Sequence, residues 1–253
     1  MALLEAFARP FSPVDPARIH AELLAERYAH WRTRDVLDDV ISHEFADHIA
    51  LVSSFGAESV VLLHLAASVN PDVPVIFIDT GKIFGSTHRY REELVAKLGL
   101  TNVQIARPDP AVLTTQDTDS GLWLREPDAC CTIRKVAPLA KALSGFDAWI
   151  SGRKRFQGDT RSALPMVEAD GSRVKVNPLA GWTRTDVNAY RTLHELPEHP
   201  LVAEGFRSIG CMPCTSRVAD DEDERSGRWR GQDKTECGIH LGLAAFETDG
   251  SGI

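Results

Sequence analysis

Ile49-Ala50-Leu51-Val52-Ser53-Ser54-Phe55-Gly56-Ala57-Glu58-Ser59 carries an apolar run straight into a turn of small and hydroxyl residues. Val60 to Ala67 then continues it as a helical stretch. A short apolar run of this kind reads as a buried strand, and the turn as a strand-to-helix connection. The same alternation repeats downstream. Pro74-Val75-Ile76-Phe77-Ile78 is a second strand ending in Asp79-Thr80-Gly81, and Thr87 to Leu98 is a helix. Asn102 to Ala106 is a third strand, and Ala148-Trp149-Ile150 a fourth that ends in Ser151-Gly152-Arg153-Lys154-Arg155. Strands alternating with helices predict an α/β fold with a doubly wound, mainly parallel sheet, whose ligands bind beyond the carboxyl ends of the strands.

Three candidate ligand loops fall at such ends. Ser53 to Ser59, including Ser54 and Gly56, offers hydroxyls and backbone N–H groups at a helix N-terminus, where phosphate is attracted. It fits neither the Walker nor the dinucleotide fingerprint, and an ordinary Ser/Gly turn would look the same. The loop from Gly152 to Arg161 concentrates Arg153, Lys154, Arg155 and Arg161 in an acidic protein. A solvated face is the plain alternative, but the position after a strand and beside the first loop favours anion binding. Thr80 and Gly81 form the third loop, equally readable as a plain turn.

Before the first strand, Asp15-Pro16 caps a helix that presents Ile19, Leu23, Leu24 and Trp31 along one broad side. A second stripe follows through Val36, Leu37, Val40 and Ile41. Thr183, with Asp186 three residues on, starts another helix. The chain divides into packing helices over residues 1–46, a nucleotide-binding α/β unit over 47–219 and a Gly-rich, mobile segment over 220–253. The last contains Gly227, Gly231, Gly238, Gly242, Gly250 and Gly252.

Five cysteines are grouped as Cys130-Cys131, Cys211-Met212-Pro213-Cys214 and a lone Cys237. Two pairs about eighty residues apart, plus one free thiol, suit a metal centre beside a reactive cysteine. Disulfides are the alternative, disfavoured in a chain that reads as cytoplasmic, with no apolar leader and no membrane-spanning run. Adjacent cysteine side chains diverge, so both sulfurs reach one tetrahedral zinc, at ~2.3 Å each, only with difficulty. A 4Fe-4S cluster offers them separate irons and fits the spacing better.

The 253 residues are 43% hydrophobic and 25% charged, as in a soluble enzyme. A net charge of −8 excludes sequence-independent nucleic-acid binding. Anions must be met by local clusters of Arg and Lys.

Several motifs together carry a family resemblance. They are Ser-Phe-Gly-Ala-Glu-Ser (residues 54–59), Phe-Ile-Asp-Thr-Gly (77–81), Glu-Pro-Asp-Ala-Cys-Cys-Thr-Ile-Arg-Lys (126–135) and Ile-Gly-Cys-Met-Pro-Cys-Thr (209–215). Asp-Glu-Arg-Ser-Gly-Arg-Trp (223–229) and Glu-Cys-Gly-Ile-His-Leu (236–241) complete the set. Over roughly residues 48 to 241 the chain resembles the assimilatory adenosine 5′-phosphosulfate reductases of the phosphoadenylyl-sulfate reductase family. The resemblance implies a fold of the adenine-nucleotide α-hydrolase (PP-loop) type and one 4Fe-4S cluster per chain on Cys130, Cys131, Cys211 and Cys214. It also implies adenosine 5′-phosphosulfate as substrate and thioredoxin as electron donor, and is compatible with a homo-oligomer. The 3′-phosphorylated nucleotide is the alternative substrate, with Arg153, Lys154 and Arg155 as its contacts.

Thiolate chemistry fits that substrate. Attack on the sulfuryl sulfur expels AMP and leaves an S-sulfonate, and a carrier thiol then releases sulfite. Cys237 is the expected nucleophile, with Arg225, Arg228, Arg161 and Lys135 neutralising substrate oxygens. His240 is expected to lower the thiol pKa or shield charge, and Glu236 to point away. A PP-loop ATP pyrophosphatase and a non-enzymatic iron–sulfur sensor are the other readings. The first lacks its Ser-Gly-Gly-x-Asp-Ser loop, and the second leaves Cys237 and the arginines without purpose.

Overall fold

The computed structural model describes residues 15–240. The outer parts of the expected terminal segments, with Gly242, Gly250 and Gly252, lie outside the described residues. Six strands form one sheet: β1 (Ile49–Ser53), β2 (Val75–Ile78), β3 (Val103–Ala106), β4 (Ala148–Ser151), β5 (Val167–Asp170) and β6 (Arg173–Val176). Their order is β3-β2-β1-β4-β6-β5, and only the β5–β6 pair is antiparallel. Helices α3 (Ser59–Val69) and α4 (Gly85–Leu98) make the crossovers that step outward from β1 to β2 to β3. The chain then returns through α5 (Pro110–Gln116), α6 (Leu122–Arg125), α7 (Pro127–Cys131) and α8 (Ala137–Ala142) to lay β4 on the other flank of β1. β1 and β4 therefore border the point where strand order reverses, and their carboxyl ends open a crevice between diverging loops.

Both sheet faces are buried, which is why the strands read as continuous apolar runs. Ile49, Leu51, Val75, Phe77, Ala148 and Ile150 face one core, shared with α3, α4 and the helices α1 (Pro16–Tyr28) and α2 (Thr33–Asp39). Ala50, Ile76 and Trp149 face the other, against Val136, Leu139 and Leu143.

Asp15 caps α1 as expected, its carboxylate accepting from the Ala17 N–H at 3.0 Å. The buried side of α1 differs from the expected one. Ala17, Ala21, Leu24 and Tyr28 face the core, whereas Ile19, Leu23 and Trp31 are 43%, 58% and 41% exposed. The small alanines let the helix backbone approach the sheet, which outweighs the bulk of Ile19 and Leu23. The second stripe is buried in full: Val36, Leu37, Val40 and Ile41. The β5–β6 hairpin is a strand pair that the sequence reading lacks. Its signal was the Asp170-Gly171 step between alternating residues, with Gly171 at φ 63°.

The loop that carries the chain toward Cys211 is pinned to α4. Tyr90 donates through its hydroxyl to the Pro197 carbonyl at 2.8 Å, and His199 Nε2 lies 2.9 Å from Thr87 Oγ1. Nδ1 of His199 accepts from the Leu201 N–H at 3.2 Å, so Nε2 carries the proton.

Truncating Leu24 to Ala should cost about 2–5 kcal/mol in urea unfolding, whereas Leu23→Ala should stay within about 0.5 kcal/mol. Burial lowers the His199 pKa to about 4, so the folded protein keeps a neutral ring that the unfolded chain protonates near pH 6.5. Its contribution is complete above that pH and is lost as pH falls toward 4, on the order of 2–3 kcal/mol in all. A His199→Asn variant should lose this part of the pH dependence.

Candidate active site

At the end of β1, Ser53 Oγ accepts from the Phe55 N–H at 3.1 Å, turning the chain so that Phe55 takes φ 48° and buries its ring edge-on to Phe77. The Gly56 N–H donates to Ser59 Oγ at 3.0 Å, which closes the turn onto the first residue of α3. Glu58, in the same turn, accepts from Lys154 Nζ at 3.0 Å and Gln157 Nε2 at 2.6 Å. The loops after β1 and β4 are thereby latched together.

The basic run after β4 is not a solvated face. Arg153, Lys154 and Arg161 are buried, and only Arg155 is exposed. Arg153 pairs with Glu168 on β5, and Arg155 Nε donates to the Leu164 carbonyl at 2.9 Å. Arg161 holds the Glu236 carboxylate with both arms of its fork, at 2.7 and 2.9 Å. Arg225 meets the same carboxylate at 3.2 Å, and Glu236 in turn accepts the Cys237 N–H at 2.9 Å. Glu236 does not point away as expected: its carboxylate stays beside Cys237, where Arg161 and Arg225 neutralise its charge.

One cavity collects these parts. Ser53, Ser54, Gly56, Ser59, Thr80, Lys135, Arg153, Arg161, Arg225, Arg228, His240 and Cys237 all line it. Gly81 does not. It takes φ 71° to turn the chain after β2, its N–H donating to Asp79 Oδ1 at 3.1 Å, so its role is the turn itself. The wall also includes Arg207, Ser208, Ile209, Gly210, Glu224 and Trp229, which the sequence reading did not single out. The signal for them was their place immediately before the C-x-x-C turn and within the arginine motif.

All five cysteines are buried and unpaired. Cys130, Cys131, Cys211 and Cys214 line a second, smaller cavity together with Lys82 and Arg134. Cys211 and Lys135 line both cavities, so the two share a wall. Arg134, missed in the sequence, anchors the cysteine-bearing helix: it holds Asp117 at 2.5 and 3.0 Å and donates to the Thr80 carbonyl at 2.7 Å. Thr80 Oγ1 lies 3.2 Å from Cys211 Sγ. Helix geometry loosens to a π segment over Thr132–Val136. Pro138 explains it, because its ring crowds the carbonyl four residues earlier. Among the described residues, no three His, Cys, Asp or Glu side chains are placed to grip a single metal ion.

The Cys237 thiol is drawn well below the usual value by a hydrogen bond from Cys131, against its own burial, and further by Lys135 and Arg228. Burial would lower Lys135, but its attraction to the neighbouring cysteines, Cys237 first, outweighs it and raises its pKa. His240 departs from expectation. Burial first, then Lys175, Arg153, Arg161 and Arg225, hold it far below the ordinary imidazole value. It is a neutral ring stacked parallel to Trp149 at 6.2 Å, so it cannot acidify the thiol as a cation.

Fold and site define an α/β nucleotide-binding enzyme with Cys237 in a cavity lined by Arg and Lys side chains. Residues 48–217 match the phosphoadenosine phosphosulfate reductase domain, and the chain belongs to that family. It is 52% identical to the adenosine 5′-phosphosulfate reductase of Mesorhizobium japonicum, over 88% of this chain and 89% of that protein. It is 48% identical to the enzyme of the same name from Chelativorans, over 94% and 98%. A phosphoadenosine 5′-phosphosulfate reductase of Gloeobacter violaceus is 44% identical over 78% and 83%. Among solved structures, the Candida auris phosphoadenylyl-sulfate reductase superposes with a TM-score of 0.66 at 26% identity, covering 79% of this chain and 97% of that one. The sheet and crossovers are thus those of the family, of the PP-loop type.

Gly210 leaves room for Arg228, since a Cβ there would overlap its guanidinium. Gly210→Ala should displace that flexible end and weaken AMP binding roughly tenfold, with a thermal midpoint little changed. Gly227→Ala should instead destabilise the fold, because its Cβ would overlap the Ser216 carbonyl, to which no such freedom belongs.

Proposed function

We propose that this protein reduces adenosine 5′-phosphosulfate to sulfite and AMP through a Cys237 S-sulfonate, with thioredoxin as the electron donor, in the cytoplasm. The observation that carries the reading is the position of Cys237: a buried thiol in the same cavity as the Ser53–Ser59 turn, Lys135, Arg225 and Arg228. The Cys237 thiolate forms a bond to the sulfuryl sulfur as the bond from that sulfur to the bridging oxygen breaks, and AMP leaves with the electron pair. A carrier thiolate then attacks the Cys237 sulfur and sulfite departs. The second carrier thiol resolves the mixed disulfide, so the two electrons come from the dithiol. Both encounters bring anions together. Arg225, Arg228 and Lys135 supply the compensating charge, at a scale of about 2–4 kcal/mol for each contact formed in the transition state.

The four paired cysteines fit a 4Fe-4S cluster. Four thiols share one cavity, free of carboxylate and imidazole, with Lys82, Arg134 and Lys135 to balance an anionic group. When bound, the cluster would supply a compact charge and tie the helix of Cys130 to the turn of Cys211. Cys211 and Lys135 are the residues through which it would adjoin the substrate cavity.

The 3′-phosphorylated nucleotide remains the second substrate. Arg153, Lys154 and Arg155, its expected contacts, are already engaged by Glu168, Glu58 and the Leu164 carbonyl. A 3′-phosphate would have to displace those partners, which favours the nucleotide without it. Sulfite release with thioredoxin from each nucleotide tests the preference. At least tenfold higher kcat/KM for adenosine 5′-phosphosulfate is expected, and equality would make the enzyme dual-specific.

Cys237→Ser should abolish sulfite production while nucleotide binding persists. Native enzyme mixed with substrate and no reductant should release about one AMP per chain and gain a sulfonate by intact mass. Turnover by Cys237→Ser at a comparable rate would sink the assignment. Anaerobically purified protein should contain about four irons per chain with broad visible absorption. Stoichiometric zinc without iron would exclude the cluster.

A further inference from the structure

Trp229 is 3% exposed and lines the cavity wall beside Cys237. Its backbone is held at φ 50°, the left-handed region, where a bulky aromatic residue is an outlier that costs of order 1–3 kcal/mol. Two hydrogen bonds impose it: the Trp229 N–H donates to the Cys214 carbonyl at 3.1 Å, and its own carbonyl accepts from Gln232 N–H at 2.9 Å. Three cations lie around the ring. Arg228 Cζ is 4.5 Å from its centroid, Lys234 Nζ 5.6 Å and Arg225 Cζ 5.8 Å. Each is tied to a different element: Arg228 to the Cys214 carbonyl, Lys234 to Asp128 on α7, and Arg225 to Glu236 beside the thiol.

We propose that Trp229 is a positioning residue, whose ring face gathers Arg225 and Arg228 into one anion-binding unit next to Cys237. Like charges this close repel and would splay toward solvent. The electron-rich face of the indole offsets that repulsion without neutralising the guanidinium charge, as a carboxylate would. Arg225 shares the Glu236 carboxylate with Arg161, whereas Arg228, without a carboxylate partner among the described residues, keeps its charge toward an incoming anion. The strained backbone is the cost of presenting the face there. The ring belongs to one buried cluster with Cys131, Cys211, Cys214 and Cys237, so the same residue lies between these cysteines and the arginine pair.

The proposal rests on the nucleotide reading of the cavity, and AMP and adenosine separate the two. AMP carries the 5′-phosphate that Arg225 and Arg228 would meet; adenosine lacks it. Calorimetric titration of the cluster-loaded protein, prepared anaerobically, should show Trp229→Leu binding AMP about tenfold more weakly, with adenosine changed by less than about twofold. Trp229→Met, longer and more flexible than Leu, should behave as Trp229→Leu does. Trp229→Phe, which keeps a ring face and loses the N–H, should stay within about threefold of the native protein for AMP. Equal losses for AMP and adenosine would reduce Trp229 to a filler of space, and a Phe variant as weak as Leu would place its role elsewhere than the ring face. Either result overturns the proposal. Native protein binding adenosine as tightly as AMP would overturn the reading of the cavity, and this proposal with it.

Discussion

The carboxylate of Glu236 is the contact on which the geometry of the site depends. It is gripped by both arms of Arg161 and by one arm of Arg225, and it accepts the N–H of Cys237. Arg161 belongs to the loop after β4, whereas Glu236 lies far along the chain. Their union brings the C-terminal segment back across the carboxyl ends of the strands. Backbone bonds from Ser216 to Gly227 and from Trp229 to Cys214 hold the earlier part of that segment, and the Glu236 contact then turns Cys237 into the cavity. A bidentate, charge-assisted pair in a partly dehydrated setting fixes direction as well as distance.

The neighbouring ion pairs obey the same logic. Lys154 with Glu58 and Arg153 with Glu168 each join a different pair of elements. Arg134 with Asp117 does the same for the cysteine-bearing helix. Removing two charges from water roughly cancels their attraction, so such pairs add little to stability. Their product is definition: each loop is set relative to the next by a contact with one satisfactory geometry. Two cations without a carboxylate partner among the described residues, buried Lys135 and half-buried Arg228, line the cavity with Cys237. Their positive charge stabilises the Cys237 thiolate, while burial, with Lys175, Arg153, Arg161 and Arg225, holds His240 neutral.

Backbone distortion gathers around the same centre. Phe55 at the turn after β1 and Trp229 beside Cys214 both adopt left-handed φ, and the helix after Cys131 opens into a π segment. Trp229 and Lys135 of the π segment line the cavities, whereas Phe55 turns its ring into the core beneath them. Each distortion is imposed by a hydrogen bond or a proline rather than by the intrinsic preference of the residue.

The sequence by itself determined four of the six strands, β1 to β4, and the helices between them. Apolar runs bounded by Ser, Gly and Asp are hard to satisfy except as buried parallel strands, and Asp15 and Thr183 cap their helices as the local pattern requires. It also determined the inventory of the site, because the paired cysteines, the arginines and Cys237 are distinctive in type and spacing. The tertiary structure decided partnership. Arg153 and Lys154 read as free anion contacts until Glu168 and Glu58, distant in sequence, are seen to hold them. His240 reads as a potential cation until the surrounding charges forbid it. The buried face of α1 went to two alanines, since close approach to the sheet depends on a neighbour that no helical period can reveal. Local propensity is written along the chain, but charge compensation and close packing are properties of residues that meet only after folding.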